Sequence, residues 1–290
     1  MRIHQPVLLK ETIDFLEVKE NRNYVDCTFG EGGHALEILK RNGPRGKVLG
    51  IERDPIILKE TKKRKRLILV NDSFANLKKI VERENFKNVF GVLFDLGFSS
   101  WHLERSGRGF SFLRDEPLIM RYDGKESLTA KEILNSWPEK EIEKIFRGYG
   151  QERFAKRIAK EISVYRKLKP IKKTSQLVEI VKRATPVWYQ KRKIHFATKV
   201  FQALRIAVNE ELSNLEKALP QALEILEKGG RLVVISYHSL EDKIVKKFFK
   251  ENFKKGHLKI LTKKPLRPQK EEIKVNPRSR SAKLRAAIKI

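Results

Sequence analysis

An α/β fold is predicted for this chain of 290 residues, built on a parallel sheet and interrupted by an all-helical module. Three observations predict it. Short, almost wholly apolar segments alternate with amphipathic ones through the first third of the sequence. Three glycines, Gly30, Gly32 and Gly33, follow the first of the apolar segments. Strand character then stops near residue 104 and returns only near residue 231.

Residues 7–16 have the apolar spacing of a short amphipathic helix. Tyr24-Val25-Asp26-Cys27 is a short strand; the glycine loop and a helix through Ala35–Leu39 follow it. Val48–Ile51, Leu67–Val70 and Val89–Phe94 are further strands, the first ended by Glu52-Arg53-Asp54-Pro55. Strands with so few polar residues belong to a sheet covered on both faces. Beyond residue 104 come helices instead. Thr129-Ala130-Lys131-Glu132 has the form of a capping box. Helices are expected at about 151–167 and at 174–184, the latter stopped before Pro186. A long helix is expected from His195 to about Ala218, with Phe201, Leu204, Val208, Leu212 and Leu215 at helical spacing. Arg231–Ser236 restores strand character after Gly229-Gly230. Leu258–Leu261 and Leu284–Ile290 are placed to pair as a hairpin-like addition at the sheet's end.

Hydrophobic residues make up 40% of the chain, enough for a sizeable core. No apolar run approaches the roughly 20 residues that cross a bilayer. The start lacks the apolar segment of a signal peptide. A single cysteine, Cys27, excludes an internal disulfide and any multi-cysteine zinc site, so no metal is expected and the cytoplasm is the expected location. The 64 basic and 36 acidic residues leave a net charge of +28. A surplus of that size favours a polyanion partner through phosphate contacts. A heavily charged thermophile surface accounts for many of the charges but not for their imbalance.

The glycine loop is the chemically informative segment. Glycines there allow positive φ and close backbone approach, and amides opening a helix meet anionic groups. Glu52, twenty residues past Gly32, ends the second strand, where a carboxylate meets ribose hydroxyls. Asp95 ends the fourth strand on the same sheet edge, the edge at which open α/β sheets bind ligands. Gly30-x-Gly32-x-x-Ala35 with an acidic Glu52 equally satisfies the dinucleotide fingerprint. These residues alone therefore leave S-adenosylmethionine and a nicotinamide cofactor both open.

The chain resembles the MraW (RsmH) family of 16S ribosomal RNA cytosine-N4 methyltransferases over essentially its full length. The resemblance rests on His4-x-Pro6-Val7-Leu8-Leu9-x-Glu11, Asp26-x-Thr28-x-Gly30-x-Gly32-Gly33-His34 and Asp95-Leu96-Gly97-x-Ser99-Ser100. Arg108-Gly109-Phe110-Ser111-Phe112, Tyr149-Gly150-x-Glu152-Arg153-Phe154-Ala155 and Ala197-Thr198-x-Val200-Phe201-Gln202-Ala203-Leu204-Arg205-Ile206 continue it. Ile235-Ser236-x-His238-Ser239-Leu240-Glu241-Asp242 and Asn276-Pro277-Arg278-Ser279-Arg280-Ser281 complete it.

The resemblance implies a Rossmann-like class I methyltransferase sheet, with residues 1–103 and 206–290 as the S-adenosylmethionine domain. It implies an inserted helical RNA-recognition domain over 104–205. Cofactor contacts are implied at Gly32, Gly33, His34, Glu52, Phe74, Asp95 and His102. The family pattern usually has Asp where Glu52 stands and Gln where His102 stands. Asp115-Glu116-Pro117-Leu118-Ile119-Met120-Arg121 also departs from the commoner Asp-Gly-Pro-Leu-Asp-Met-Arg.

The activity implied is methylation of N4 of one cytidine in 16S rRNA of the small subunit. Asp95 is the candidate acceptor for the amino group, and Arg278 and Arg280 of the basic tail are candidate RNA contacts. The tail from Lys250 carries 14 basic and 3 acidic residues. Plainer readings stand beside these. His238 fits a hydrogen-bonded structural histidine, Lys62–Arg66 a solvated face, and Trp137 and Trp188 core positions. A non-catalytic RNA-binding assembly protein and a nicotinamide enzyme are the competing functions. Monomer and homodimer both remain open.

Overall fold

The computed structural model describes residues 6–97, 99–123 and 128–290; His4 of the first family motif lies outside them. They form two compact units, one of residues up to 98 together with 212–290 and the other of Ser99–Glu211. The boundaries expected from the sequence are 103/104 and 205/206.

The first unit opens with α1 (Leu9–Leu16), β1 (Asn23–Asp26), α2 (Gly33–Arg41) and β2 (Val48–Glu52). Next come α3 (Pro55–Glu60), β3 (Leu67–Asn71), a 3-10 turn (Phe74–Asn76), α4 (Leu77–Arg83) and β4 (Val89–Asp95). The second unit holds α5 (Ser100–Glu104), α6 (Ala130–Ser136), α7 (Glu139–Gly148), α8 (Ala155–Leu168), α9 (Thr174–Ala184), α10 (Val187–Gln190) and α11 (Thr198–Asn209). The chain returns to the first unit through α12 (Glu211–Ile225), β5 (Leu226–Ser236), α13 (Ser239–Lys254), β6 (Leu258–Ile260), α14 (Lys270–Val275) and β7 (Lys283–Lys289).

All seven strands form one sheet in the order β3-β2-β1-β4-β5-β7-β6. The first five are parallel, and β7 runs antiparallel to both β5 and β6. The two tail segments thus pair as a terminal addition. Side chains alternate across the sheet because successive Cβ atoms point to opposite faces. Val25, Val92, Phe94, Leu232 and Val234 pack with α4, α12 and α13. Tyr24, Leu93, Val233 and Ile235 pack with α1 and α2. Burial on both faces explains why these strands read as continuous apolar runs.

The second unit has its own core around Ile133, Phe146, Ile158, Ile162, Leu177 and Leu204. Its α6 opens with the expected capping box, Thr129 and Glu132 each satisfying the other's backbone N–H. Between α5 and α11 the only β-type pairing among the described residues is an isolated bridge, Pro117 with Lys173.

One long helix from His195 to Ala218 does not form. It is two helices, broken at Glu210, which takes a left-handed φ of 53°. Asn209 makes the corner: its Nδ2 donates to the Met120 carbonyl at 2.7 Å and its Oδ1 accepts from Tyr122 N at 3.1 Å. The apolar spacing runs straight through the break, so periodicity does not reveal it. Arg278 and Arg280 lie in a short 3-10 helix, Pro277–Ser281. One further reading changes. Arg66 is not part of a solvated face, because its guanidinium donates to the Asn42 side chain and to the Leu39 and Gly46 carbonyls.

Candidate active site

Because β1, β2, β4 and β5 are parallel, their C-terminal ends share one edge, and the strand order reverses between β1 and β4. That reversal is where open α/β sheets hold ligands. Asp26, Glu52 and Asp95 are the last residues of β1, β2 and β4.

The glycine loop is stitched to this edge. Phe29 N donates to Ile51 O and Cys27 N to Leu93 O, both at 2.9 Å. Gly30 and Gly32 take φ of 53° and 81°. A Cβ on Gly32 would lie 2.7 Å from the Phe29 ring, and one on Gly33 would run into the Pro6 ring. Only glycine lets the chain turn here and start α2 at Gly33. Glu52 accepts hydrogen bonds from Gly30 N at 2.9 Å and Asp54 N at 2.8 Å. The carboxylate is thereby locked to the loop it faces.

Asp95 is the most elaborately held of the three. Its backbone N donates to Thr28 Oγ1 at 2.7 Å, and its Oδ1 accepts from the Tyr237 hydroxyl at 2.8 Å. His34 is buried, with Nε2 3.1 Å from the Val7 carbonyl and Nδ1 3.7 Å from Asp95 Oδ2. Since a carbonyl only accepts, Nε2 carries the proton in that contact. His34 thus ties the N-terminal segment to this edge, with its second ring nitrogen facing Asp95.

Asp26 is fully buried; desolvation, with the charges of Asp95 and Glu52 adding to it, pushes its carboxyl up to about 7 against a hydrogen bond from Thr28 N. Tyr237 is pushed up as well, first by burial and then by Asp95, Glu241 and Glu272. It remains a phenol at neutral pH, a donor to Asp95 and not a base.

The remaining candidates are distributed differently. Phe74 follows β3, half-buried, edge-on to Phe94 at 5.6 Å between ring centres. His102 belongs to the second unit, where its ring packs among Trp101, Phe110 and Tyr122 and its Nδ1 lies 3.0 Å from Ser99 Oγ. Arg278 and Arg280 are exposed on the tail. His238 is structural: it caps α13, with Nε2 3.1 Å from Glu241 Oε1. Glu241 in turn accepts from Tyr237 N at 2.8 Å, which sets the backbone carrying the Tyr237 side chain.

Comparison with known proteins now decides between the cofactors. The MraW methylase family model matches residues 1–290. The chain belongs to the MraW methylase family. A relative from Clostridium botulinum, named Ribosomal RNA small subunit methyltransferase H, is 45% identical over 306 residues, covering 99% of each chain. A relative of the same name from Thermosipho melanesiensis is 47% identical over 292 residues, covering 99% of this chain and 98% of its own. A third, from Halothermothrix orenii, is 45% identical with coverage of 99% and 98%.

An MraW methylase is a methyltransferase, and its cofactor is S-adenosylmethionine. The sheet edge fits that molecule chemically. The negative charge of Asp95 and Glu52 suits a sulfonium cation, and a carboxylate locked to a glycine turn suits a ribose. The structure adds Tyr237 to the residues that the sequence singles out. Tyr237 stood as the unassigned position of Ser236-x-His238. The signal that would have found it is register, because Ile235 pairs with Asp95 across the β4–β5 ladder.

Proposed function

We propose that the protein transfers a methyl group from S-adenosylmethionine to the exocyclic N4 of a cytidine in 16S ribosomal RNA, in the cytoplasm where small subunits assemble. The observation that carries this reading is Asp95, ending a strand at the reversal point and held by Tyr237, in a chain whose full-length relatives are named for the small-subunit RNA.

S-adenosylmethionine supplies an electrophilic methyl on a positively charged sulfur. Gly32 and Gly33 would admit it to the start of α2, Glu52 would meet its ribose, and Phe74 would lie against its adenine. His34 adds a further contact at this edge, with Nδ1 3.7 Å from Asp95 Oδ2. Asp95 accepts a hydrogen bond from the target amino group, which frees its lone pair from conjugation with the ring for in-line attack. The proton that the amine would lose on gaining the methyl would pass to Asp95, the acceptor it already faces, and the demethylated cofactor would be the leaving group. Most of the acceleration comes from alignment. The target base is unpaired or extruded from its stack. Residues 99–211 grip the surrounding RNA together with Arg278 and Arg280.

Mass spectrometry of nucleosides after in vitro methylation of small subunits from a strain lacking the gene tests this directly. N4-methylcytidine is the expected product; no incorporation at any assembly stage would favour a binding role. Asp95→Asn should lose turnover by about a hundredfold, well beyond any loss of cofactor affinity, the scale of one well-placed polar group in a transition state. Full turnover in that variant would remove Asp95 from the chemistry.

A further inference from the structure

The helical α10 is a single turn of four residues, too short to persist without anchors. Two of its four side chains supply them. The Tyr189 hydroxyl donates to the buried Glu152 carboxylate at 2.6 Å, and Gln190 Nε2 donates to the Lys182 and Thr185 carbonyls, each at 2.8 Å. Glu152 is fixed in turn by Phe154 N at 2.8 Å. The other two side chains point out of the unit: Val187 is 64% exposed and Trp188 54% exposed. Trp188 is therefore not the core residue that its sequence context suggests, and with Val187 it presents an exposed apolar face on a pinned turn.

Its surroundings say which partner. Phe154 and Tyr189 meet the indole obliquely, at 62° and 90°, and brace it without stacking on it. The Arg153 guanidinium lies 5.6 Å from the Trp188 ring centre and 5.9 Å from that of Phe154. Arg157 sits over Phe154 at 5.7 Å and Arg192 over Tyr189 at 5.1 Å. No acidic residue occurs between Glu179 and Glu210, while Lys191 and Lys193 flank Arg192. A stretch without a carboxylate that carries Lys191, Arg192 and Lys193 suits phosphates, and an exposed indole with a guanidinium beside it suits a base.

We propose that Trp188 is a stacking platform for an unpaired base of the RNA, with Arg153, Arg157 and Arg192 receiving the adjoining phosphates. This rests on the reading that RNA is the substrate, and it assigns a second contact point, within the helical unit. Every base has a π-face, so the platform holds single-stranded RNA with little sequence preference and disfavours duplex.

The test is titration of the full-length protein with a single-stranded RNA oligonucleotide and with a duplex of the same composition, followed by tryptophan fluorescence. The single strand should quench emission, and Trp188→Phe should abolish most of the quenching while binding within about threefold of wild type. Trp188→Ala should weaken single-strand binding roughly tenfold. Arg153→Gln with Arg192→Gln should flatten the dependence of affinity on salt. Wild-type affinity in Trp188→Ala would overturn the platform. So would sedimentation showing that Trp188→Ala merely dissociates a dimer at unchanged RNA affinity, which would make this face a contact between copies. Methyl transfer by the wild type, measured in parallel, separates the two claims. Its absence sinks the RNA-methylation reading, whereas its presence alongside an unaltered Trp188→Ala isotherm sinks the platform alone.

Discussion

The Tyr237 hydroxyl donates to Asp95 Oδ1 across 2.8 Å, joining residues 142 positions apart at the ends of two adjacent parallel strands. Gly97 makes room for this pairing, since a Cβ there would lie 2.7 Å from the Tyr237 ring. Burial and three nearby carboxylates keep the phenol protonated, so the bond has one direction. On the proposed reading of Asp95 as acceptor for the amino group, Tyr237 is a positioning residue that aims the carboxylate. Tyr237→Phe keeps the ring and deletes the bond. Turnover should fall by about tenfold or more, the value of one hydrogen bond to a charged group. Cofactor affinity should stay within about twofold. A variant with normal kcat and weakened cofactor binding would show that Tyr237 serves the cofactor instead.

Asp26 makes stability depend on pH. Its carboxyl is raised to about 7 in the folded protein, against about 4 for an unfolded chain. Below pH 4 both states hold the proton and the folded state has its full stability. Between pH 4 and 7 the folded state holds more protons than the unfolded one, so stability declines as pH rises through the folded value. The loss is on the order of 4 kcal/mol, at about 1.4 kcal/mol per unit. Asp26→Asn should cancel this slope while keeping an acceptor for Thr28 N. Urea unfolding of both proteins from pH 4.5 to 8 reads the difference, which a flat comparison would disprove.

Gly32 and Gly229 both take positive φ, 81° and 80°, yet only Gly32 also faces a packed ring. Gly32→Ala should lose more than tenfold in cofactor affinity and unfold at lower temperature. Gly229→Ala meets nothing within 4 Å and should cost only the backbone strain of about 1 kcal/mol. Calorimetric titration and thermal melts distinguish the two; equal effects would mean that conformation alone, and not the Phe29 contact, governs the loop.

Arg205 and Glu211 form a two-pronged pair, at 2.8 Å and 3.0 Å, in the second unit. Tyr122 donates to the same carboxylate at 2.9 Å, and both charged side chains are largely shielded from water. Arg205→Ala strands a shielded carboxylate and should destabilise by about 3 kcal/mol. Arg205→Met with Glu211→Gln removes both charges and should recover much of that. The midpoints of urea unfolding by circular dichroism give the comparison, and a single variant no worse than the double would refute it.

Much of this protein is determined by sequence alone. Apolar strands announce a sheet buried on both faces, because a residue such as Val92 or Leu93 has a hydrophobic layer on whichever side it faces. Thr174 to Ala184 is bounded by local chemistry, and the span of the helix matches it. Gly30, Gly32, Gly33, Glu52 and Asp95 carry spacing that brings them to one edge in any parallel sheet. Tertiary structure alone decided the rest. Glu210 breaks a helix because Asn209 bonds to the Met120 carbonyl and Tyr122 N, far back in the chain. Tyr237 gains its role from Asp95, and Trp188 is turned outward because Glu152 holds its neighbour. Local periodicity records which face of a segment is apolar; it carries no information about partners brought together only when distant segments pack.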